Sequence, residues 1–438
     1  MQDEYKGFKV ETVIWLLLVA DIILVVQSLF YVFRTDLIQC DYARWVMYMK
    51  EHGFLSIYHA GADGIIESGC DYPPIYIYFL WLVVKFDQGM DSTITNTLLK
   101  ACPYTFFFIS QAFIYRRLSK EAAVMWTVNL AFILNCAVWG QRDVAFGFLL
   151  IGMFYSFYKK QRYWPSIWYA LLCLLKQQGC LFLPCYLIYM FVYVKGWRTR
   201  ILSIASGMAL GIAAYLPFML KERTFQVFFN VYGVTSDTYL CSIETYAPNL
   251  YAIHRLYTLP FNWFWMVNIG LTLVVLIVYV VVFCKTHDLI FSSMIYTYLT
   301  FMMCLGQHER YALYYVFFVF FYYHMFGKMY DCKFRAELER VYWLGSLAAF
   351  IAQLTFVMIM EPTEMLRVKY GFPFDAMTVE HKRAFYDYCA THSVVRAVYE
   401  CRLWFIFLGT VMNVWNGYTI FSKLYPEVKK QPVDLGKF

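Results

Sequence analysis

A chain of 438 residues in which 61% of the side chains are hydrophobic, 21% aromatic and only 15% charged lies far outside the range of soluble globular proteins. It reads as an all-α polytopic membrane protein. The formal net charge of +7 therefore does not argue for nucleic acid, because Lys and Arg collect in cytoplasmic loops, and no finger, RNP-like or helix-turn-helix pattern accompanies it.

Apolar runs long enough to span, about 17 to 25 residues or slightly fewer with Trp and Tyr ends, occur near residues 12 to 33, 97 to 115, 121 to 139, 143 to 158, 163 to 177, 179 to 194, 200 to 219, 263 to 284, 288 to 305, 311 to 327, 341 to 360 and 402 to 421. About 12 transmembrane helices are expected. The first run, Trp15 to Phe33, is too long for a signal-peptide core and lacks a small-residue cleavage site, so it reads as a retained span. Ile75 to Phe86 holds about 12 residues, a length more often interfacial than spanning. Parity supports that choice. With this run in the interface, the basic loops Arg116 to Lys120, Lys159 to Arg162, Lys195 to Arg200 and Lys328 to Arg340, and the tail with Lys429 and Lys430, all fall on one side, the cytoplasm. Residues 1–438 read as one integral membrane domain, with a long first extracytoplasmic loop at 34–96 and a late one at 361–401.

The first outer loop opens with Asp36, adds Asp41 and continues from Tyr42 to Gly53, where Ala43, Val46, Met47 and Met49 alternate roughly helically with Arg44, Lys50 and Glu51. This predicts an amphipathic helix lying on the membrane. A carboxylate just clear of the bilayer suits a general base, since partial desolvation raises its pKa toward neutrality. On spacing alone, a helix cap or a partner for Arg34 or Arg44 is the plainer use of Asp36, and more so of Asp41. Asp71-Tyr72-Pro73-Pro74 is a rigid extended lead-in to a helix, with Tyr76, Tyr78, Phe79 and Trp81 at headgroup level. Cys40 and Cys70 could meet in this loop, although the thirteen cysteines include no CxxC.

Trp139-Gly140-Gln141-Arg142-Asp143 and Leu175-Lys176-Gln177-Gln178 set an Asp, an Arg and a Lys at the outer ends of neighbouring spans. Taken singly, such an Arg pairs with the adjacent Asp and such a Lys snorkels. His308-Glu309-Arg310 interrupts two apolar runs. Each charge at the centre of a span would cost roughly 2.5–3.5 kcal/mol on insertion scales. The trio is therefore expected at a membrane face or in a wet cavity, either as a plain solvated loop or as an anion site in which Arg310 and His308 donate to phosphate. Zinc-type spacing is absent and no metal is called for. The spans read as nearly devoid of charge, with Asp21 and His324 as exceptions.

In this order, the acidic residue after span one, D-Y-P-P-x-Y-x-Y from Asp71, W-G-Q-x-D from Trp139, the K-Q-Q segment at Lys176 and H-E-R-Y at His308 resemble the GT-C glycosyltransferases, multispanning enzymes that use polyprenyl-phosphate sugars. The set looks most like bacterial relatives of the glycosylphosphatidylinositol mannosyltransferase II family and is also similar to dolichyl-phosphate-glucose glucosyltransferases. The resemblance runs from about Asp36 to Tyr311. Two positions depart from the pattern: Arg142 stands where an apolar residue is usual, and Lys176-Gln177-Gln178 lacks the usual proline.

The resemblance implies a GT-C fold and inverting transfer of a hexose, mannose ahead of glucose, from a polyprenyl-phosphate donor to a hydroxyl acceptor on the extracytoplasmic face. It implies Asp36 as catalytic base with Asp41 as runner-up, and His308, Arg310 and Lys176 at the donor phosphate. It places Asp71, Tyr72, Gln141, Arg142, Asp143, Gln178 and Glu309 in substrate binding. No cofactor is required beyond the donor itself. The partners implied are membrane lipids and a glycolipid, polysaccharide or protein acceptor, in the plasma membrane of a bacterium or the endoplasmic reticulum of a eukaryote. A flippase for lipid-linked sugars or polysaccharides is the alternative, and it would be expected to carry charges along a path through its helices.

Overall fold

The computed structural model describes residues 41–59, 70, 72–86, 92–222, 225, 227–228, 231–232, 247–252, 261–370 and 393–435. All regular structure among them is helical. In chain order the helices are α1 (Asp41–His52), α2 (Pro74–Phe86), α3 (Ser92–Arg117), α4 (Lys120–Thr127), α5 (Leu130–Ile133), α6 (Asp143–Tyr158), α7 (Trp164–Leu175), α8 (Leu183–Ile188), α9 (Trp197–Glu222), α10 (Phe261–Thr286), α11 (Leu289–Met303), α12 (Ala312–Phe326), α13 (Cys332–Tyr370), α14 (Ser393–Thr419) and α15 (Tyr425–Lys430). The run expected at 12 to 33, Asp36 and Cys40, Asp71, and most of the late loop at 361–401 lie outside the described residues, as does the side chain of Asp41.

Local chemistry explains the breaks. Ser119 caps α4 by accepting the Ala122 amide, and Asn129 caps α5 by accepting the Ala131 and Phe132 amides while donating to the Tyr342 and Ser346 hydroxyls of α13. The run expected as one span at 121 to 139 is thus a bent pair, turned by 57° between α4 and the segment ending at Val138. Asp288 accepts the Phe291 amide at the start of α11 and the Tyr322 hydroxyl of α12 at 2.7 Å, so one carboxylate joins two helices.

Among the described residues four helical segments are long and apolar enough to cross a membrane, Trp197–Lys221, Met266–Thr286, Cys332–Met358 and Arg396–Lys430, and the bent pair makes a fifth. Pro74–Phe86, Asp143–Tyr158, Trp164–Leu175 and Leu289–Met303 are apolar but shorter. Hydropathy run length counted the last three of these as spans of the same kind, and read Ile75 to Phe86 as interfacial. Lys100 is a further departure, because it sits buried within α3, a helix expected to be nearly devoid of charge.

The organising pair is α6 and α12. Every residue from Asp143 to Phe157 is buried, and so is nearly all of α12, whose sequence ALYYVFFVFFYYHMF is apolar all round. A helix of that kind has no solvent face to present and belongs in the centre of a bundle. The α6 helix packs against α3, α7 and α12, and α12 packs against α11 and α13. Gly147 lets the two core helices approach closely, since a Cβ there would lie 2.4 Å from the Phe317 ring. The first-loop helix α1 forms as expected, with Val46 and Met49 buried and Arg44 and Lys50 exposed, but Tyr42, Trp45 and Tyr48 are buried with them against α2, whereas Met47 is exposed.

Candidate functional site

The two core helices both begin at one place. Gly140, at φ +74°, reverses the chain after the π-helical turn Leu134–Val138 and delivers Arg142 and Asp143 to the start of α6. The α13-side polar residue Gln353 meets them there through Asn135, whose amide donates to the Gln353 Oε1 at 3.0 Å and to the Asp143 Oδ2 at 3.2 Å. The turn after α11 delivers His308, Glu309 and Arg310 to the start of α12. Lys176 ends α7 at an extended residue, φ −154° and ψ 135°, which swings its side chain back over α6. Positive helix ends and carboxylates therefore share this end of the bundle, an arrangement that favours ionised Asp143.

The Lys176 Nζ donates to the Asp143 Oδ1 at 2.5 Å and to the Tyr314 hydroxyl at 3.3 Å, and that hydroxyl in turn donates to the Asp143 Oδ1 at 3.0 Å. The Arg310 Nε lies 3.4 Å from the Asp143 Oδ2, and its Nη1 donates to the Glu309 Oε1 at 2.8 Å. The His308 Nδ1 is 4.0 Å from the Glu309 Oε2. Gln178 donates to the Tyr311 hydroxyl at 2.6 Å, and the Arg310 guanidinium lies 4.9 Å from the centre of the Trp139 ring. Asp143, Glu309 and Lys176 are closed off from solvent, while His308 and Arg310 keep 12% exposure and form the rim. Burial, with the cations Arg310 and Lys176 nearby, holds the His308 imidazole well below its ordinary pKa, so it is neutral at pH 7 and can accept as well as donate.

Arg142 does not pair with its neighbour Asp143. Its guanidinium is fully buried in a box of tyrosines, 3.7 Å from the centre of the Tyr76 ring, 4.2 Å from Tyr72 and 4.4 Å from Tyr42. The Nη2 donates to the Tyr42 hydroxyl, which donates to the Tyr72 hydroxyl at 3.1 Å. Each desolvated cation–π contact contributes about 2 kcal/mol, which offsets much of the several-kcal/mol cost of taking an ion out of water. Among the described residues no carboxylate forms an ion pair with Arg142.

Of the residues expected in the site, Gln141, Arg142, Asp143, Lys176, Gln178, His308, Glu309, Arg310 and Tyr72 come together at this end of the bundle. The solvated-loop reading of the HER turn is excluded by Glu309, which is fully buried, and Lys176 is buried instead of snorkelling. Asp36, Asp41 and Asp71 cannot be placed, for the reason given above. Sequence reasoning did not find Tyr42, Asn135, Trp139, Tyr314 and Gln353 as site residues. Asn135 and Gln353 were findable, as polar residues in the middle of apolar runs, and Tyr314 follows Tyr311 by one helical turn.

A polytopic helical protein whose core helices converge on a buried Asp–Lys–Arg–Glu cluster is built for polar chemistry at a membrane. The family model for glycosyltransferase family 87 matches residues 71–306, and the chain belongs to that family. The match contains the DYPP, WGQRD and KQQ segments and ends just before His308. No curated protein matches the sequence.

Proposed function

We propose that the protein is an inverting hexosyltransferase, mannose ahead of glucose, that takes its sugar from a polyprenyl-phosphate donor on the extracytoplasmic face. The observation that carries this reading is the buried polar cluster at the start of α6 and α12, in a member of a glycosyltransferase family and beside an apolar groove. The groove, about 610 Å³, runs between α7, α8 and α9 and is lined by residues such as Tyr169, Leu174, Cys180, Leu187, Met208 and Ile212. Leu174 and Cys180 bracket Lys176 in the chain, so an isoprenoid tail in the groove brings its phosphate to the polar cluster. The α6 helix, 16 residues long, spans about 24 Å at 1.5 Å per residue, less than the roughly 30 Å hydrocarbon core. A site at its end sits near the membrane edge, where a lipid-linked donor presents its sugar.

The acceptor hydroxyl, on a glycolipid, polysaccharide or protein, loses its proton to Asp36 as it attacks the anomeric carbon. The bond to the phosphate oxygen breaks on the opposite face, which inverts configuration, and polyprenyl phosphate departs. Arg310, His308 and Lys176 supply oriented N–H donors toward that phosphate. Twelve spans with both termini in the cytoplasm, the topology that run length and the distribution of Lys and Arg imply, put Asp36 on the same side. The membrane is the plasma membrane in a bacterium and the endoplasmic reticulum in a eukaryote.

The test is transfer from radiolabelled polyprenyl-phosphate mannose and polyprenyl-phosphate glucose to a membrane lipid extract, by purified wild type and Asp36→Asn in parallel. Labelled product from wild type and none from an equally folded variant is the expected result. Turnover surviving in Asp36→Asn moves the base to Asp41, and no transfer from either donor removes the reading.

A further inference from the structure

The charges of the site do not balance where the family pattern would place the cation. Asp143 and Glu309 are matched by Lys176 and Arg310, each cation lying within 2.5 to 3.4 Å of a carboxylate oxygen. Paired in this way, the two carboxylates of the cluster are taken by Lys176 and Arg310, and Arg142 is the arginine at this end of the bundle that they leave out. Among the described residues no carboxylate lies within ion-pair distance of Arg142, and its Nε and Nη1 are buried with no hydrogen-bond partner. An arginine is charged at every accessible pH, and a buried charge without a counter-ion is tolerated only where something else supplies one. The tyrosine rings provide aromatic faces and the Tyr42 hydroxyl takes one N–H. What they leave unmatched are the Nε and Nη1 donors, charged N–H groups of the kind that donate to phosphate oxygens.

We propose that Arg142, held in the box of Tyr42, Tyr72 and Tyr76, is the receptor for the phosphate of the lipid-linked substrate, and that Lys176 and Arg310 shape the site without contributing net charge. This rests on the donor class proposed above. A sugar phosphodiester carries one negative charge and matches the one positive charge of Arg142. When the glycosidic bond breaks, negative charge grows on the departing phosphate, so the interaction strengthens toward the transition state. The tyrosine box also explains why Arg is tolerated at a position where an apolar residue is usual.

The experiment measures binding of farnesyl phosphate and of uncharged farnesol to the full-length protein in lipid nanodiscs, by calorimetry, with transfer assayed on the same preparations. Wild type is expected to prefer the phosphate by about 10- to 100-fold, the range of a hydrogen bond to a charged group. Arg142→Gln is expected to abolish that preference while farnesol binding stays unchanged. Arg142→Lys, which keeps the charge and loses the guanidinium donors, is expected to retain only part of it and decides the matter if Arg142→Gln does not fold. An unchanged preference in either folded variant overturns the assignment. So does phosphate binding that emerges only in Asp71→Asn, which would make that carboxylate the resident counter-ion. Transfer activity with Arg142-independent phosphate binding sinks this inference and leaves the proposed function standing. Arg142-dependent phosphate binding without sugar transfer does the reverse.

Discussion

At the scale of single residues, the contact between Lys176 and Asp143 is where burial and charge compete most directly. Both side chains are withdrawn from solvent, so each depends on the other to remain ionised. Lys176→Met strands Asp143, and removing one member of a buried pair costs about 3–5 kcal/mol. The lower end is expected, because Arg310 remains 3.4 Å from the same carboxylate. Thermal unfolding in detergent should show a clearly lowered midpoint for Lys176→Met, and the double variant Asp143→Asn/Lys176→Met should recover most of it, since neither member of the pair is then left as a lone buried charge. A single variant as stable as wild type would mean that the pair carries no structural load. The residue types were legible in the sequence and their pairing was not: an Arg next to an Asp suggested a local contact between Arg142 and Asp143, whereas the Asp takes Lys176 from a different helix and Arg142 turns away into the tyrosines.

At the scale of elements, the break between α7 and α8 sets both the groove and the position of Lys176. Gly179 is the residue that allows it. A Cβ there would lie 2.6 Å from the Cys173 nitrogen and 2.7 Å from its Cα, and backbone cannot move aside as a side-chain tip can. Gly179→Ala should destabilise by about 1–3 kcal/mol, the usual cost of overpacking, and should weaken transfer by displacing Lys176. Gly211, on α9 facing the same groove, has nothing within 4 Å of a built Cβ. Gly211→Ala should therefore raise stability, by up to about 1 kcal/mol through helix propensity alone. Unfolding midpoints that move in the same direction would refute this description of the packing. Periodicity made α1 legible as an amphipathic helix but misjudged part of its inner face, because Tyr42 and Trp45 bury more area than Met47 and win the contact with α2. Run length likewise located the apolar stretches but could not separate helices that cross a bilayer from shorter ones, since burial inside the bundle and burial in lipid select the same side chains.

At the scale of the whole molecule, the distribution of Lys and Arg predicts the loop from Lys328 to Arg340 in the cytoplasm and the first loop outside. Cys332 is exposed at the head of α13, and Lys50 is exposed on α1. In a background with the other exposed cysteines changed to Ser, a membrane-impermeant maleimide should label Cys332 only after permeabilisation and Lys50→Cys in intact cells. The opposite pattern would invert the topology and move the site to the cytoplasmic face. Composition and motif order by themselves determined that this is a helical membrane protein of a glycosyltransferase class, because the bilayer leaves few ways to bury so many apolar side chains and the polar exceptions to that rule stand out along the chain. Only the tertiary structure decided which cations pair with which carboxylates among the described residues. Charge compensation depends on contacts of a few ångströms between residues more than 30 positions apart, such as Asp143 with Lys176 and Tyr314, and spacing along the chain does not encode which partners fill that shell.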